Sequence, residues 1–225
     1  MNVIFEDNHI IAVNKNCSEI VQGDKTGDIS LDIKVKEYLK KKYNKPGNVF
    51  LGVTHRIDRP VSGVVLFART GKALTRLNKL FSNKEIKKTY WAIVKKFPQK
   101  KYAKLQNYIS RNTEKNKSFA HQKEVNNSKL AIMSYKTITE SDNYSLLEID
   151  LETGRHHQIR CQLSAIDMPI KGDLKYGYPR SNRNGGISLH ARRIEFIHPV
   201  NKNNIIIEAN PPADDKLWKT FQEMM

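Results

Sequence analysis

The chain has 225 residues, enough for one catalytic domain of two closely packed halves. Lys and Arg number 39 against 23 acids, a formal net charge of +16, which favours a polyanionic partner such as nucleic acid over a membrane surface. No apolar run is long enough to span a bilayer, Glu6 and Asp7 interrupt the place of a secretory signal, and Cys17 and Cys161 form no CxxC pair, so the expectation is a cytoplasmic protein with free thiols.

Residues 1–15 read as a strand, a turn at Asp7-Asn8, and a second strand over Ile10 to Val13. Ser30 stands where it can cap a helix with apolar positions Leu31, Val35 and Leu39. Pro46-Gly47 ends that region. Val49 to Val53 and Val64 to Ala68 read as buried strands joined by HRIDRPVSG, and a helix follows with the stripe Leu74, Leu77, Leu80 and Phe81.

Thr89 to Val94 alternates as a strand. Residues 98 to about 129 are polar and lack clear periodicity. They read either as a solvated loop or hairpin, or as a nucleic-acid flank; thirteen Lys or Arg against three Glu lie between Lys84 and Lys129. Ala131 to Ile138 and Tyr144 to Leu151 alternate as strands, Arg155 to Ile166 fits a helix, and Leu189 to Ile197 and Ile205 to Ala209 complete the sheet. Hairpins with a few helices, no repeats and no linker suggest a single α+β domain over 1–225.

Three places could carry chemistry. Asp58 suits a turn, but Arg56 and Arg59 beside it favour its ionised form. In LETGRHHQIR, Thr153 is a plausible helix cap, Gly154 permits close backbone approach, and Arg160 lies beside the apolar stripe of Ile159, Leu163 and Ile166. A half-buried arginine there needs an anion. Tyr90 is either a core residue or a flat face on which a base can stack. His157 and Cys161 are four apart, as zinc ligands can be, but no second pair matches them, so no metal is expected. Phosphate-cradling and dinucleotide-binding glycine motifs are missing.

HRIDRPVSGVVLFART resembles the catalytic segment of the RluA-type RNA pseudouridine synthases, HRLDxxTSGLLLFAKT. LETGRHHQIRCQLSAIDMPIKGDLKYG resembles their second signature, LxTGRxHQIRxHLxxxGxPIxGDxxYG. VIFEDNHIIAVNK, KKTYWAIV and SLHARRIEFIHPV resemble their first strands, tyrosine strand and C-terminal LHAxxLxFxHP. The likeness runs from about Val3 to Pro212. Val61 stands where the family usually has Thr, Lys15-Asn16-Cys17-Ser18 where it has KPxG, and His156 where it has Thr or Ser.

The resemblance implies a pseudouridine synthase fold: a mixed, largely antiparallel central sheet flanked by helices and loops, with the active-site cleft across the sheet. It implies an isomerase that converts uridine in ribosomal or transfer RNA to pseudouridine without a cofactor. By similarity Asp58 is the catalytic carboxylate, acting as nucleophile at C1′ or as base at C2′. Arg160 pairs with it and keeps it charged, and Tyr90 packs on the detached uracil. Arg56 fills the space left by the flipped base. His55, Arg59, Gly154, Arg155, His157 and Gln158 are expected at the RNA. The small N-terminal RNA-binding domain of many relatives is not expected here, and a monomer is expected. The alternatives are a non-catalytic RNA-binding protein and a metal-dependent nuclease using Asp58, Asp150 or Asp173.

Overall fold

In the computed structural model, the residues described are 1–24, 27–95 and 98–225. Lys96, one of the lysines of the basic stretch, lies outside them. The described chain divides into two compact units, residues 1–86 with 191–211, and residues 87–190 with 212–225.

The first unit opens with β1 (Asn2–Glu6) and β2 (Ile10–Lys15). Asp7 makes the turn between them, its carboxylate accepting from the N–H groups of His9 at 2.7 Å and Ile10 at 2.8 Å. α1 (Leu31–Lys42) buries Leu31, Val35 and Leu39, as the four-residue spacing predicts. Ser30 is its N-cap, but its hydroxyl bonds the Asp32 carboxylate instead of a backbone N–H of the first turn.

The expected strand over Val49 to Val53 shrinks to β3 (Gly52–Val53), because only these two residues pair with β4 (Ser62–Ala68), opposite Ala68 and Phe67. Phe50 is exposed. All seven residues of β4 are buried, which explains why it reads as a continuous apolar run. α2 (Gly71–Ser82) starts at Thr70, whose hydroxyl accepts from the Ala73 N–H.

The strand order is β1-β2-β4-β10, with β10 (Leu189–Ile197) belonging to this unit from Ala191; β11 (Asn204–Glu208) pairs with β10 and β3 with β4. The β1–β2, β2–β4, β3–β4 and β10–β11 pairings are antiparallel. Ile10, Ala12, Val64, Leu66, Ile194, Phe196 and Ile207 form the core with Ala73 and Leu77 of α2. Gly63 has φ +120°, and a Cβ there would lie 2.3 Å from the Ala191 carbonyl oxygen, so only glycine fits at the start of β4.

The second unit is a sheet in the order β5-β9-β8-β6-β7, antiparallel throughout. Its strands are β5 (Lys87–Val94), β6 (Tyr102–Asn112), β7 (Lys117–His121), β8 (Lys129–Glu140) and β9 (Ser145–Leu151). The polar stretch after residue 98 is thus chiefly a hairpin. One face of the sheet packs against α3 (Gln158–Ala165) through Ile109, Ala131 and Cys161. On the other face, Trp91, Ile93 and Leu146 pack against Trp218 and Phe221 of α4 (Lys216–Glu223). Asp215 caps α4 by accepting from the Leu217 and Trp218 N–H groups.

Candidate active site

The first unit holds Asp58. The turn carrying it leaves β3 and enters β4, and the Val61 N–H donates to the Asp58 carbonyl oxygen at 3.0 Å. Ile57 beside it is buried and anchors the turn, while Arg56 and Arg59 are exposed. The Arg59 guanidinium reaches Asp28 at 2.8 Å, a surface pair that adds little stability. His55, expected at RNA, takes part in holding the fold. Its Nε2 accepts from the Leu66 N–H at 3.0 Å and its ring packs on Phe81 at 4.9 Å.

Beneath this turn lies the first residue of the stretch that stands where the family pattern has KPxG. Lys15 ends β2 and is wholly buried. Its ammonium donates to the carbonyl oxygens of Asn16 and Glu19, each at 2.8 Å, and of Arg59 at 3.1 Å. The Arg59 carbonyl oxygen also accepts from the Ser18 N–H at 2.9 Å. Burial pushes the Lys15 pKa down to about 8. Ser18, in the glycine position of the KPxG pattern, has φ +68°.

The second unit holds Tyr90 and Arg160. Through the registers Tyr90–Ile149 and Ile149–Tyr135, Tyr90 shares its sheet face with Tyr135, Met133 and Ala131, the face on which α3 packs. Tyr90 is half-buried. Arg160 is 5% exposed, and the anion its buried guanidinium requires is present within the unit: Nε donates to Asp173 Oδ2 at 2.7 Å and a terminal nitrogen to Oδ1 at 2.9 Å. The ring of Tyr176 lies 5.0 Å from the guanidinium carbon. Asp173 and Tyr176 come from GDLKYG, the last part of the second signature.

The segment before α3 departs from expectation. The helix begins at Gln158, not Arg155, and its N-cap is His157 in the left-handed region at φ +53°. Thr153 is no cap; the Gln158 side chain reaches back instead. Its Oε1 accepts from the Thr153 hydroxyl at 2.8 Å and the Arg155 N–H at 3.0 Å, while its Nε2 donates to the Ile132 carbonyl at 3.1 Å. Gln158 therefore shapes the loop. Arg155 is half-buried and its Nε donates to the Leu130 carbonyl at 2.9 Å.

His157 is buried, its Nδ1 lies 2.9 Å from the Tyr176 hydroxyl, and His156 stacks on it at 3.7 Å. Burial, then the nearby Arg160, push its pKa down to about 2, so it is neutral at physiological pH. Gly154 is exposed and has no left-handed φ; a Cβ there would meet only the Lys88 ammonium, at 3.5 Å.

Among the described residues, no three His, Cys, Asp or Glu side chains are grouped to hold a metal. Burial drives the Cys161 thiol up to about 12, which disfavours the thiolate that zinc requires. Of the carboxylates a nuclease would need, Asp173 is engaged by Arg160, and Asp150 accepts from the Thr89 hydroxyl at 3.1 Å. Among the described residues, no helix is long and apolar enough to cross a membrane.

The family model described as RNA pseudouridylate synthase matches residues 9–165. The chain is 30% identical to ribosomal large subunit pseudouridine synthase D of Zymomonas mobilis, over 96% of this chain and 71% of that protein. It is 26% identical to tRNA pseudouridine synthase C of Vibrio vulnificus, over 99% of this chain and 94% of that one. Human RNA pseudouridylate synthase domain containing 4 shares the fold, with TM-score 0.78 at 21% identity over 94% of this chain and 89% of that chain. The chain belongs to the RNA pseudouridylate synthase family, a family of isomerases.

Proposed function

We propose that this RNA pseudouridine synthase uses Asp58 as its catalytic carboxylate, with Tyr90 and Arg160 as partners, on uridines of ribosomal or transfer RNA. The observation that carries the assignment is the placement of Asp58 on a turn fixed at both ends, by the buried Ile57 and by the glycine-dependent start of β4, in the segment that matches the family's catalytic motif. An ionised Asp58 attacks C1′ of the ribose or takes a proton from C2′. Either route breaks the bond between uracil N1 and C1′. The uracil then turns and C5 bonds C1′, which in the first route releases the Asp58 carboxylate and in the second returns the proton from Asp58 to C2′; the C5 proton then leaves while N1 gains one.

Arg160 has the character this chemistry asks of a cation near the acid. It is buried, and its orientation is set by a bidentate partner, so little freedom is lost when it meets a second anion. Tyr90 supplies a flat face for the detached base. Arg56 and Arg59, both exposed, and the lysines of β5 to β8 provide a salt-dependent hold on phosphates. Gly154 leaves its surface open to a close backbone approach. The names of relatives include ribosomal and transfer RNA enzymes, and mapping pseudouridines by carbodiimide-stopped reverse transcription, in cells with and without the gene, decides between these substrates. The reading also assigns a monomer acting in the cytoplasm, without a cofactor.

The test is tritium release from RNA labelled at uracil C5, with no added metal. Wild type releases the label; Asp58→Asn binds RNA and releases none. RNA cleavage abolished by EDTA would point instead to the nuclease.

A further inference from the structure

Tyr176 stands at the centre of a group of cations that folding alone does not require. Its ring lies 5.0 Å from the Arg160 guanidinium carbon and 5.2 Å from the Lys117 ammonium of β7. Lys175 donates to the Asn116 carbonyl oxygen at 3.1 Å, which ties the short 3-10 turn Leu174–Tyr176 to the β6–β7 hairpin. Arg111 of β6, paired in register with Ser118, reaches the Asn116 side chain at 3.4 Å. Arg111, Lys117 and Lys175 form no ion pair among the described residues. The acid of the group, Asp173, is engaged by Arg160, and Glu114 in the hairpin turn is exposed.

The stacked pair His156–His157 adjoins these cations, and its hydrogen bonds fix which ring takes up a proton. The Tyr176 hydroxyl accepts from the Ser118 N–H at 2.8 Å, and its own proton goes to His157 Nδ1, 2.9 Å away. Protonating His157 would break that bond, and Arg160, His156, Lys175 and Arg111 all act against a charge there. On His156 the order is reversed. The single Ser118 hydroxyl proton goes to the His156 carbonyl oxygen at 2.8 Å, so the hydroxyl oxygen accepts from Nδ1–H, also at 2.8 Å. Nε2 is then the basic nitrogen of His156, and a proton there leaves both Ser118 bonds intact. The Thr or Ser usual in the family at this position has no such nitrogen.

We propose that the junction of the β6–β7 hairpin with the start of α3 seats a phosphodiester of the RNA strand, with Arg111, Lys117 and Lys175 as its standing cations and His156 gaining a proton as the phosphate binds. The bonds through Tyr176, Ser118 and Asn116 hold like charges together, and an anion relieves their repulsion. The phosphate also supplies the negative charge that favours an imidazolium at His156, so binding and protonation strengthen each other. The inference rests on RNA being the substrate and is independent of the role given to Asp58.

The charged and titratable groups around His156 are Arg155, His157 and Arg160 on its own segment, Lys117 on β7, Arg111 on β6, and Asp173, Lys175 and Tyr176 at the 3-10 turn. With His157 down at about 2 and Tyr176 up at about 12, neither titrates between pH 6 and 8. Proton uptake on binding makes affinity rise as pH falls through that range.

The test is equilibrium binding of a hairpin RNA with uridines in its loop to the full chain, read in two ways. Lys175→Gln removes a charge from the seat, and Lys219→Gln removes one from α4, on the opposite face of the sheet. Both lysines are exposed, so neither change threatens the fold. The slope of log affinity against log salt is expected to become shallower by about 0.7–1 in Lys175→Gln and to stay unchanged in Lys219→Gln. Equal slopes in the two variants would mean diffuse attraction and would overturn the seat. The second reading is proton uptake, from calorimetry at pH 7.5 in buffers of different ionisation enthalpy, for wild type and His156→Thr. Wild type is expected to take up about half a proton on binding, and to lose about threefold more affinity than the variant between pH 6 and 8. Uptake equal in both proteins, or absent from both, would overturn the part given to His156; if His156→Thr does not fold, His156→Gln makes the same comparison. Binding that behaves as expected in a wild type that releases no tritium would place the failure in the synthase reading and leave the seat standing.

Discussion

Asp173 grips Arg160 with both carboxylate oxygens, at 2.7 and 2.9 Å, in a pair of which neither member is more than 6% exposed at its side chain. The two residues are thirteen positions apart, on α3 and on the short 3-10 turn Leu174–Tyr176 that Asp173 precedes. Their bond fixes where a buried positive charge is displayed.

Removing Asp173 would take away the bidentate carboxylate that holds that charge. Asp173→Ala is expected to destabilise the protein by about 3–5 kcal/mol, and urea unfolding would measure it. A loss below about 1 kcal/mol would mean that Arg160 has another sufficient anion or reaches water.

Ser18 lies in a region of backbone space that favours glycine, at φ +68°. The left-handed conformation costs a side chain about 1–2 kcal/mol, and the extra freedom of glycine in the unfolded chain takes back roughly half of that. Ser18→Gly is expected to stabilise the protein by about 0.5–1 kcal/mol with no loss of activity. Thermal melting decides the sign, and a lowered Tm would show that the serine side chain contributes more than its backbone strain costs.

His157 gives stability an acid limb. Its folded pKa, about 2, is below the ordinary 6.5, so the unfolded chain binds more protons between those values. This contribution is complete above about pH 6.5 and is lost as pH falls toward 2. His157→Asn keeps a residue that tolerates the left-handed backbone and removes the titration. Urea midpoints measured from pH 7 to 4 are expected to fall less steeply in the variant; parallel curves would contradict the assignment.

Gly154 separates folding from binding. A methyl group there meets only the end of the Lys88 side chain, so Gly154→Ala is expected to melt within about 1 °C of wild type, since surface changes of this kind cost little. It should weaken RNA binding by about tenfold if the RNA backbone approaches this glycine closely. Unchanged affinity would remove Gly154 from the RNA interface.

The legibility of these features follows their physics. β4 and β5 are plain because their residues are apolar or alternate, and α1 because Leu31, Val35 and Leu39 keep helical spacing. β6 is not, because one of its buried positions is Asn107, whose side chain accepts from Gln162 of α3 at 2.8 Å. A polar residue satisfied by a distant partner erases the alternation that marks a strand. The same holds before α3: a threonine ahead of an arginine-rich segment looks like a cap, while the group that organises the loop is Gln158 reaching backwards. α4 is absent from the sequence expectations although its signal is present, in Asp215 followed by Leu217, Trp218 and Phe221.

Among the candidate site residues, Asp58, Tyr90 and Arg160 are proposed from their motifs. Asp173 and Tyr176 lie within GDLKYG, where nothing local marks one as the partner of a buried arginine and the other as its ring neighbour. His55, His157 and Gln158 look like surface ligands because their types bind RNA, yet each is engaged in holding the fold. Lys15 is invisible to composition, since one lysine among 39 basic residues carries no mark of burial until β2 is placed beneath the 55–63 turn.

The most direct measurement compares wild type with Asp58→Asn in single-turnover tritium release from C5-labelled RNA, alongside RNA affinity. Release by the wild type, none by the variant and equal binding by both is the predicted result. Release by Asp58→Asn within about threefold of the wild-type rate would contradict the assignment of residue 58 as the reacting carboxylate.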